Sequence, residues 1–119
     1  MKTGTFVFSE LRTPRPRDAR GFYTKLFGWE YQDVPAPEPY ALVRCGGDTI
    51  GGIAGGHPTN EWLVYVGVAD VKATTAMARK LGATVEVDCQ KFGDMGTLTV
   101  LVDPAGARFA VWQAAAGPT

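Results

Sequence analysis

Apolar residues along this chain recur with two periods, and the switch between them marks strands and helices. Trp62 to Val68, WLVYVGV, is an apolar run with valine at 64, 66 and 68, bounded by polar residues and an aspartate, which predicts a strand buried on at least one face. Asp70 opens a helix. Its carboxylate is placed to accept from the first free N–H groups, and Val71, Thr74, Ala78 and Leu81 follow at near-helical spacing as one apolar side. Gly82 closes that helix in the left-handed conformation, and Ala83 to Val87 resumes an alternating, strand-like pattern.

The same order is legible earlier in the chain. Phe6 to Leu11 alternates, so that Phe6, Phe8 and Glu10 share one face of a strand while Val7, Ser9 and Leu11 share the other. Pro14 and Pro16 break the strand, since proline is tolerated in a first helical turn and not deeper. Ala19, Phe22, Tyr23 and Leu26 then fall at i, i+3, i+4 and i+7 on a helix that runs to Phe27 and stops at Gly28. Trp29 to Val34 reads as a strand, VPAPEP as a loop, and Tyr40 to Cys45 and Thr49 to Ala54 as two strands joined by a tight turn at Gly46-Gly47-Asp48. Asp88 to Met95 reads as a polar loop. Thr97 to Val102 and Ala107 to Trp112 make a last hairpin around Asp103-Pro104-Ala105-Gly106.

The result is β-α-β-β-β written twice. Such a repeat implies two similar modules, about 1–56 and 61–119, within one domain spanning 1–119, each with a helix over one sheet face. Between them GGIAGGHPTN, Gly51 to Asn60, reads as a glycine-rich hinge with bulges; it matches neither GxGxxG nor a phosphate loop, because no Lys-Ser/Thr follows and no helix begins there.

Composition changes this picture little. The chain has 119 residues, of which 45% are hydrophobic, and its 12 basic and 12 acidic side chains cancel, so nothing marks it as a binder of nucleic-acid backbone. No apolar segment reaches the roughly 18 residues of a membrane span, and MKTGTFVFSEL lacks the continuous apolar core of a signal peptide, so a cytoplasmic location is expected. Six basic residues stand against two acids in the first 28 positions, a distribution suited to a solvated helix face. Cys45 and Cys89, in no CxxC spacing, read as reduced packing cysteines.

FYTKLFGW, the GG pair late in the first half, LGATV and DPAGARFAVWQ resemble the vicinal-oxygen-chelate superfamily, which includes glyoxalase I, bleomycin-resistance proteins and extradiol dioxygenases. The resemblance spans nearly the whole chain. It implies an α+β fold of paired βαβββ modules, whose curved mixed sheet cups a small molecule, commonly as a homodimer. Metal-using members hold a divalent ion with His, Glu or Gln on the first strand of each module and on the last strand. Those positions fall here on Phe8, Leu63 and Ala110, none of which carries a donor atom in its side chain, so no metal and no other cofactor is expected. His57, the only histidine, sits alone in the hinge and reads as an exposed loop residue.

The inward register left by this assignment contains Phe8, Glu10, Leu63, Tyr65, Ala110 and Trp112, an apolar and aromatic surface with one carboxylate. Two functions are compatible with it. In the leading one the chain holds a hydrophobic or aromatic ligand, with Glu10 or Arg44 orienting a polar group. In the alternative it is a glyoxalase-like lyase or isomerase in which Glu10, its pKa raised among aromatic rings, moves a proton while Arg44 or Tyr65 stabilises charge. Glu10 paired with a nearby arginine is the structural alternative.

Overall fold

The computed structural model describes residues 3–115. In chain order it contains β1 (Phe6–Arg12), α1 (Pro16–Phe27), β2 (Glu30–Asp33), β3 (Tyr40–Cys45), β4 (Asp48–Ala54), β5 (Glu61–Gly67), α2 (Val71–Lys80), β6 (Thr84–Phe92), β7 (Gly96–Val102) and β8 (Arg108–Ala114). The strand, helix and three-strand order thus occurs twice, and the fold is α+β with mixed strand pairing. Two compact units result, one of Phe8–Leu63 and one of the described residues on either side of that stretch.

In the first unit the strand order is β2-β3-β4-β1. β1 runs parallel to β4, with Ser9 opposite Gly51 and Glu10 opposite Gly52, while β3 is antiparallel to both β2 and β4. A parallel pair needs a long crossover, and α1 with β2 and β3 supplies it. α1 starts on Pro16, and Gly28 ends it at φ 73° with its N–H bonded to the Thr24 carbonyl. Ala19 and Tyr23 pack on Leu11, Val43 and Ile53, together with Trp29 and Tyr31. Phe22 and Leu26, expected on the same buried face, are exposed instead. The apolar stripe of the helix is wider than the strip of sheet that it covers.

In the second unit the order is β5-β8-β7-β6, with β5 parallel to β8 and Tyr65 opposite Ala110. Asp70 caps α2 by accepting from the Ala73 N–H, as its position predicts. The buried face runs through Val71, Thr75 and Ala78 onto Leu101 and Val111. Thr75 therefore replaces Thr74 on that face, and Leu81, which lies past the last turn, is exposed. The Thr75 hydroxyl donates to the Val71 carbonyl and lies 2.9 Å from the Thr99 hydroxyl, so neither buried oxygen is orphaned. Cys89 N–H donates to Thr99 Oγ1 and ties down the φ of 47° at Cys89.

Three local expectations are corrected. Asp88 to Met95 is not all loop, because β6 continues to Phe92 across two register shifts. Its polar positions Glu86, Asp88 and Gln90 are exposed while Val85, Val87 and Cys89 are half-buried, a period-two pattern on an edge strand that polarity alone conceals. Gly51 and Gly52 belong to the interior of β4 and are buried, so they do not form a hinge. A methyl group at Gly51 would overlap the Ser9 carbonyl oxygen, so glycine is what lets β1 approach β4. Both cysteines are free thiols, and Cys45 is exposed, so only Cys89 packs. No helix among the described residues is long and apolar enough to cross a membrane.

His57, between β4 and β5, is half-buried rather than exposed. Burial holds its pKa below the ordinary 6.5, and the Arg12 guanidinium adds to this, against the opposing pull of Glu10, Glu61 and Glu38.

Two outcomes follow. Gly51→Ala is expected to cost about 1–3 kcal/mol, because the obstacle is backbone that has no rotamer to change, and this is checked by urea denaturation. A histidine with a lowered folded pKa binds its proton more readily when unfolded, so its contribution is complete above pH 6.5 and is lost as the pH falls below that value. The urea midpoint of the native chain is therefore expected to fall between about pH 7 and 5.5, and that of His57→Gln to fall less.

Candidate functional site

Alternation on β1 decides which way its side chains point. Leu11 lies in the cluster beneath α1, so Glu10 and Phe8 project to the opposite face. Glu10 is 4% exposed. Burial of a carboxylate is tolerable only where hydrogen-bond donors replace water. Arg12, two positions on and hence on the same face, donates from Nε to Glu10 Oε1 at 2.8 Å, and the Tyr40 hydroxyl donates to Oε2 at 2.8 Å. Gly52, the register partner of Glu10, makes the second bond possible: a Cβ there would stand 2.5 Å from the Tyr40 hydroxyl oxygen. The face thus carries a Glu10, Arg12 and Tyr40 network, in place of a carboxylate isolated among aromatic rings.

Arg44 is not part of this network. Its Nη1 donates to Thr49 Oγ1 at 2.9 Å and its Nη2 to the Gly47 carbonyl, so the guanidinium braces the β3 to β4 turn. Leu63 is buried and Phe8 half-buried. Arg12 was readable from its i+2 spacing to Glu10 on a strand. Tyr40 was not, because the contact needs the β3, β4 and β1 register and a glycine in the middle strand.

In the other unit the face turned away from α2 carries Tyr65, Ala110 and Trp112. Val111 and Leu101 pack toward α2, so their neighbours point to the opposite side. The registers place Tyr65 beside Ala110, Ala110 beside Val100, and Trp112 beside Leu98. Ala110 and Tyr65 are buried, while Trp112 is half-buried and tilted at 55° to Tyr65 with ring centroids 6.1 Å apart. Trp112 lies over Gly96, where a Cβ would come within 2.6 Å of the indole. Leu98 and Val100 were missed as part of this face. Their alternation within LTVLV is blurred because the strand is buried on both sides.

The positions that the resemblance assigns to metal ligands are Phe8, Leu63 and Ala110, and their side chains offer no oxygen, nitrogen or sulfur. Among the described residues no three His, Cys, Asp or Glu side chains are grouped to hold an ion. The residues present at those positions do not fit the family's metal. The Glu10 carboxylate accepts from a guanidinium on one oxygen and a phenol on the other, and at 4% exposure its remaining lone pairs are screened from a substrate. On the aromatic face Trp112 is the ring left partly accessible, while Tyr65, Leu98, Val100 and Ala110 are buried.

A glyoxalase-like domain family model matches residues 6–112. The chain is 33% identical over 122 residues to a protein named putative glyoxylase CFP32 from Mycobacterium tuberculosis, an alignment covering 95% of this chain and 47% of that protein. It is 28% identical over 129 residues to the anthracycline biosynthesis protein DnrV of Streptomyces peucetius, covering 92% of this chain and 47% of that one. This chain therefore spans about half the length of these curated relatives. A solved methylmalonyl-CoA epimerase, in complex with methylmalonyl-CoA and NH4+, superposes with a TM-score of 0.72 at 18% identity over 97% of each chain, which shows the shared fold. The family model over residues 6–112 and the relative that is 33% identical show that the chain belongs to the glyoxalase-like domain family of the vicinal-oxygen-chelate superfamily.

Proposed function

We propose that this chain binds a small hydrophobic or aromatic molecule without the family's metal centre. The observation that carries this reading is the face of β5, β8 and β7, where Tyr65, Ala110, Trp112, Leu98 and Val100 stand in continuous register with no carboxylate, amine or imidazole among them. Trp112 supplies the accessible ring, with Tyr65, Ala110, Leu98 and Val100 buried behind it. Apolar burial and ring stacking then furnish the affinity, of the order of 25 cal/mol per Å² removed from water. A cytoplasmic location and the absence of a cofactor belong to the same reading. The anthracycline biosynthesis relative supports a planar ligand by analogy alone.

A second reading keeps Glu10 as the proton-moving group of a lyase or isomerase. The buried network favours it in one respect, since Arg12 and Tyr40 supply a cation and a hydroxyl beside the carboxylate in the roles first assigned to Arg44 and Tyr65. The burial of Glu10 counts against it.

Two substitutions separate the readings. With anilinonaphthalene sulfonate as a planar apolar probe, Trp112→Ala is expected to weaken binding by about tenfold or more, equivalent to ~1.4 kcal/mol or above. Glu10→Gln is expected to change probe affinity by less than about threefold, because the probe needs no proton transfer. Unchanged affinity in Trp112→Ala, measured by fluorescence titration, contradicts the binding reading.

A further inference from the structure

Beside α1 and the first residues of β5 lies an open groove of about 660 Å³, within the range of ~300–1,000 Å³ usual for small-molecule sites. Phe22, Tyr23 and Trp62 line it with aromatic rings. The rings meet edge to face, Phe22 at 78° to Tyr23 and Tyr23 at 73° to Trp62, with centroids 5.1 and 5.6 Å apart. Phe22 is 58% exposed and Trp62 41%, so both offer ring surface to the groove.

The rest of the lining is polar, and its hydrogen-bonding capacity is only part used. Thr13 is 2% exposed, and its Oγ1 accepts from the Arg15 backbone N–H and donates to Asn60 Oδ1. That bond holds the Asn60 amide by its oxygen and leaves the Nδ2 hydrogens for a ligand. The Tyr23 hydroxyl accepts from Trp62 Nε1 at 3.3 Å and so keeps its own O–H to donate. Arg15 and Asp18 pair through one nitrogen and one oxygen, so the guanidinium has further donors and the carboxylate a further acceptor. Glu61 adds a second carboxylate to the wall.

We infer that this groove is a saccharide-binding site that takes neutral pyranose rings. Anionic ligands are disfavoured, because two carboxylates stand in the lining against one guanidinium. An apolar ligand would cover the Asn60, Tyr23 and Arg15 donors without replacing their water, and an organic cation, which brings no acceptor, would do the same. A flat heterocycle sandwiched between rings needs parallel walls, whereas these rings stand edge to face. A pyranose matches both halves of the lining. Its C–H faces cover an indole or phenyl ring, and each hydroxyl on its rim both donates and accepts. No residue of the Trp112 face lines this groove, so saccharide binding here is independent of the ligand proposed for that face.

Cellotriose, whose ring hydroxyls are all equatorial and whose ring faces are therefore all C–H, is the probe. In nitrogen–proton correlation spectra of the full chain, titration to about 50 mM is expected to shift the Trp62 indole and Asn60 side-chain amide signals together and to leave the Trp112 indole in place. Asn60→Asp keeps the oxygen that Thr13 needs and removes the donor, and is expected to weaken binding at least about tenfold. Trp62→Ala, at a ring already part exposed, is expected to do the same with the fold retained by circular dichroism; if that fold is lost, Asn60→Asp decides alone. Absence of any shift at the top concentration overturns the proposal. So do shifts confined to Trp112, or an affinity that either folded variant leaves unchanged.

Discussion

A carboxylate that is 4% exposed constrains everything around it. Glu10 needs a donor on each oxygen, and the two that it has come from different places: Arg12 from its own strand, and Tyr40 from a strand two places away. Tyr40 can reach only across Gly52, and Gly52 is opposite Glu10 only if β1 lies parallel to β4 in the register that also puts Gly51 beneath the Ser9 carbonyl. A shift of one residue would turn Glu10 into the apolar layer under α1 and Leu11 out of it. The charged network on one face and the Leu11, Val43 and Ile53 cluster on the other are thus two consequences of one register.

This explains what the sequence discloses and what it withholds. The βαβββ order, the ends of both helices and the cap at Asp70 are local matters, decided by proline, glycine and aspartate at positions with one physical interpretation. The placement of Phe8 and Glu10 on the face opposite Leu11 follows from strand alternation once Leu11 is known to be apolar and covered. The partner of Glu10 was not legible, because it depends on three strands brought together from residues 10, 40 and 52. Glycine pairs in β4 read as a hinge when only flexibility is considered, whereas the pairing needs them for close approach and for the space over which Tyr40 lies. On α1 the periodicity of Ala19, Phe22, Tyr23 and Leu26 is real. Periodicity reports which side is apolar, and only packing reports how much of that side is covered.

Family membership and chemistry separate in this chain. The scaffold is that of the glyoxalase-like domains, and it is shared with the epimerase solved in complex with methylmalonyl-CoA. At the strand positions that the resemblance assigns to metal donors, this chain carries a phenyl ring, an isobutyl group and a methyl group, none of which can hold a hard or borderline cation. The Glu10 carboxylate is already committed to Arg12 and Tyr40 within its own unit.

The central claim is that the chain works without a metal, and the metal content of protein purified without chelators, measured by mass spectrometry, tests it most directly. The account predicts transition-metal content far below one equivalent, with probe binding unchanged after dialysis against a chelator. Close to one equivalent of zinc, nickel, manganese or iron, lost together with binding on chelation, would contradict it and would place donor side chains where the strand registers now put carbon.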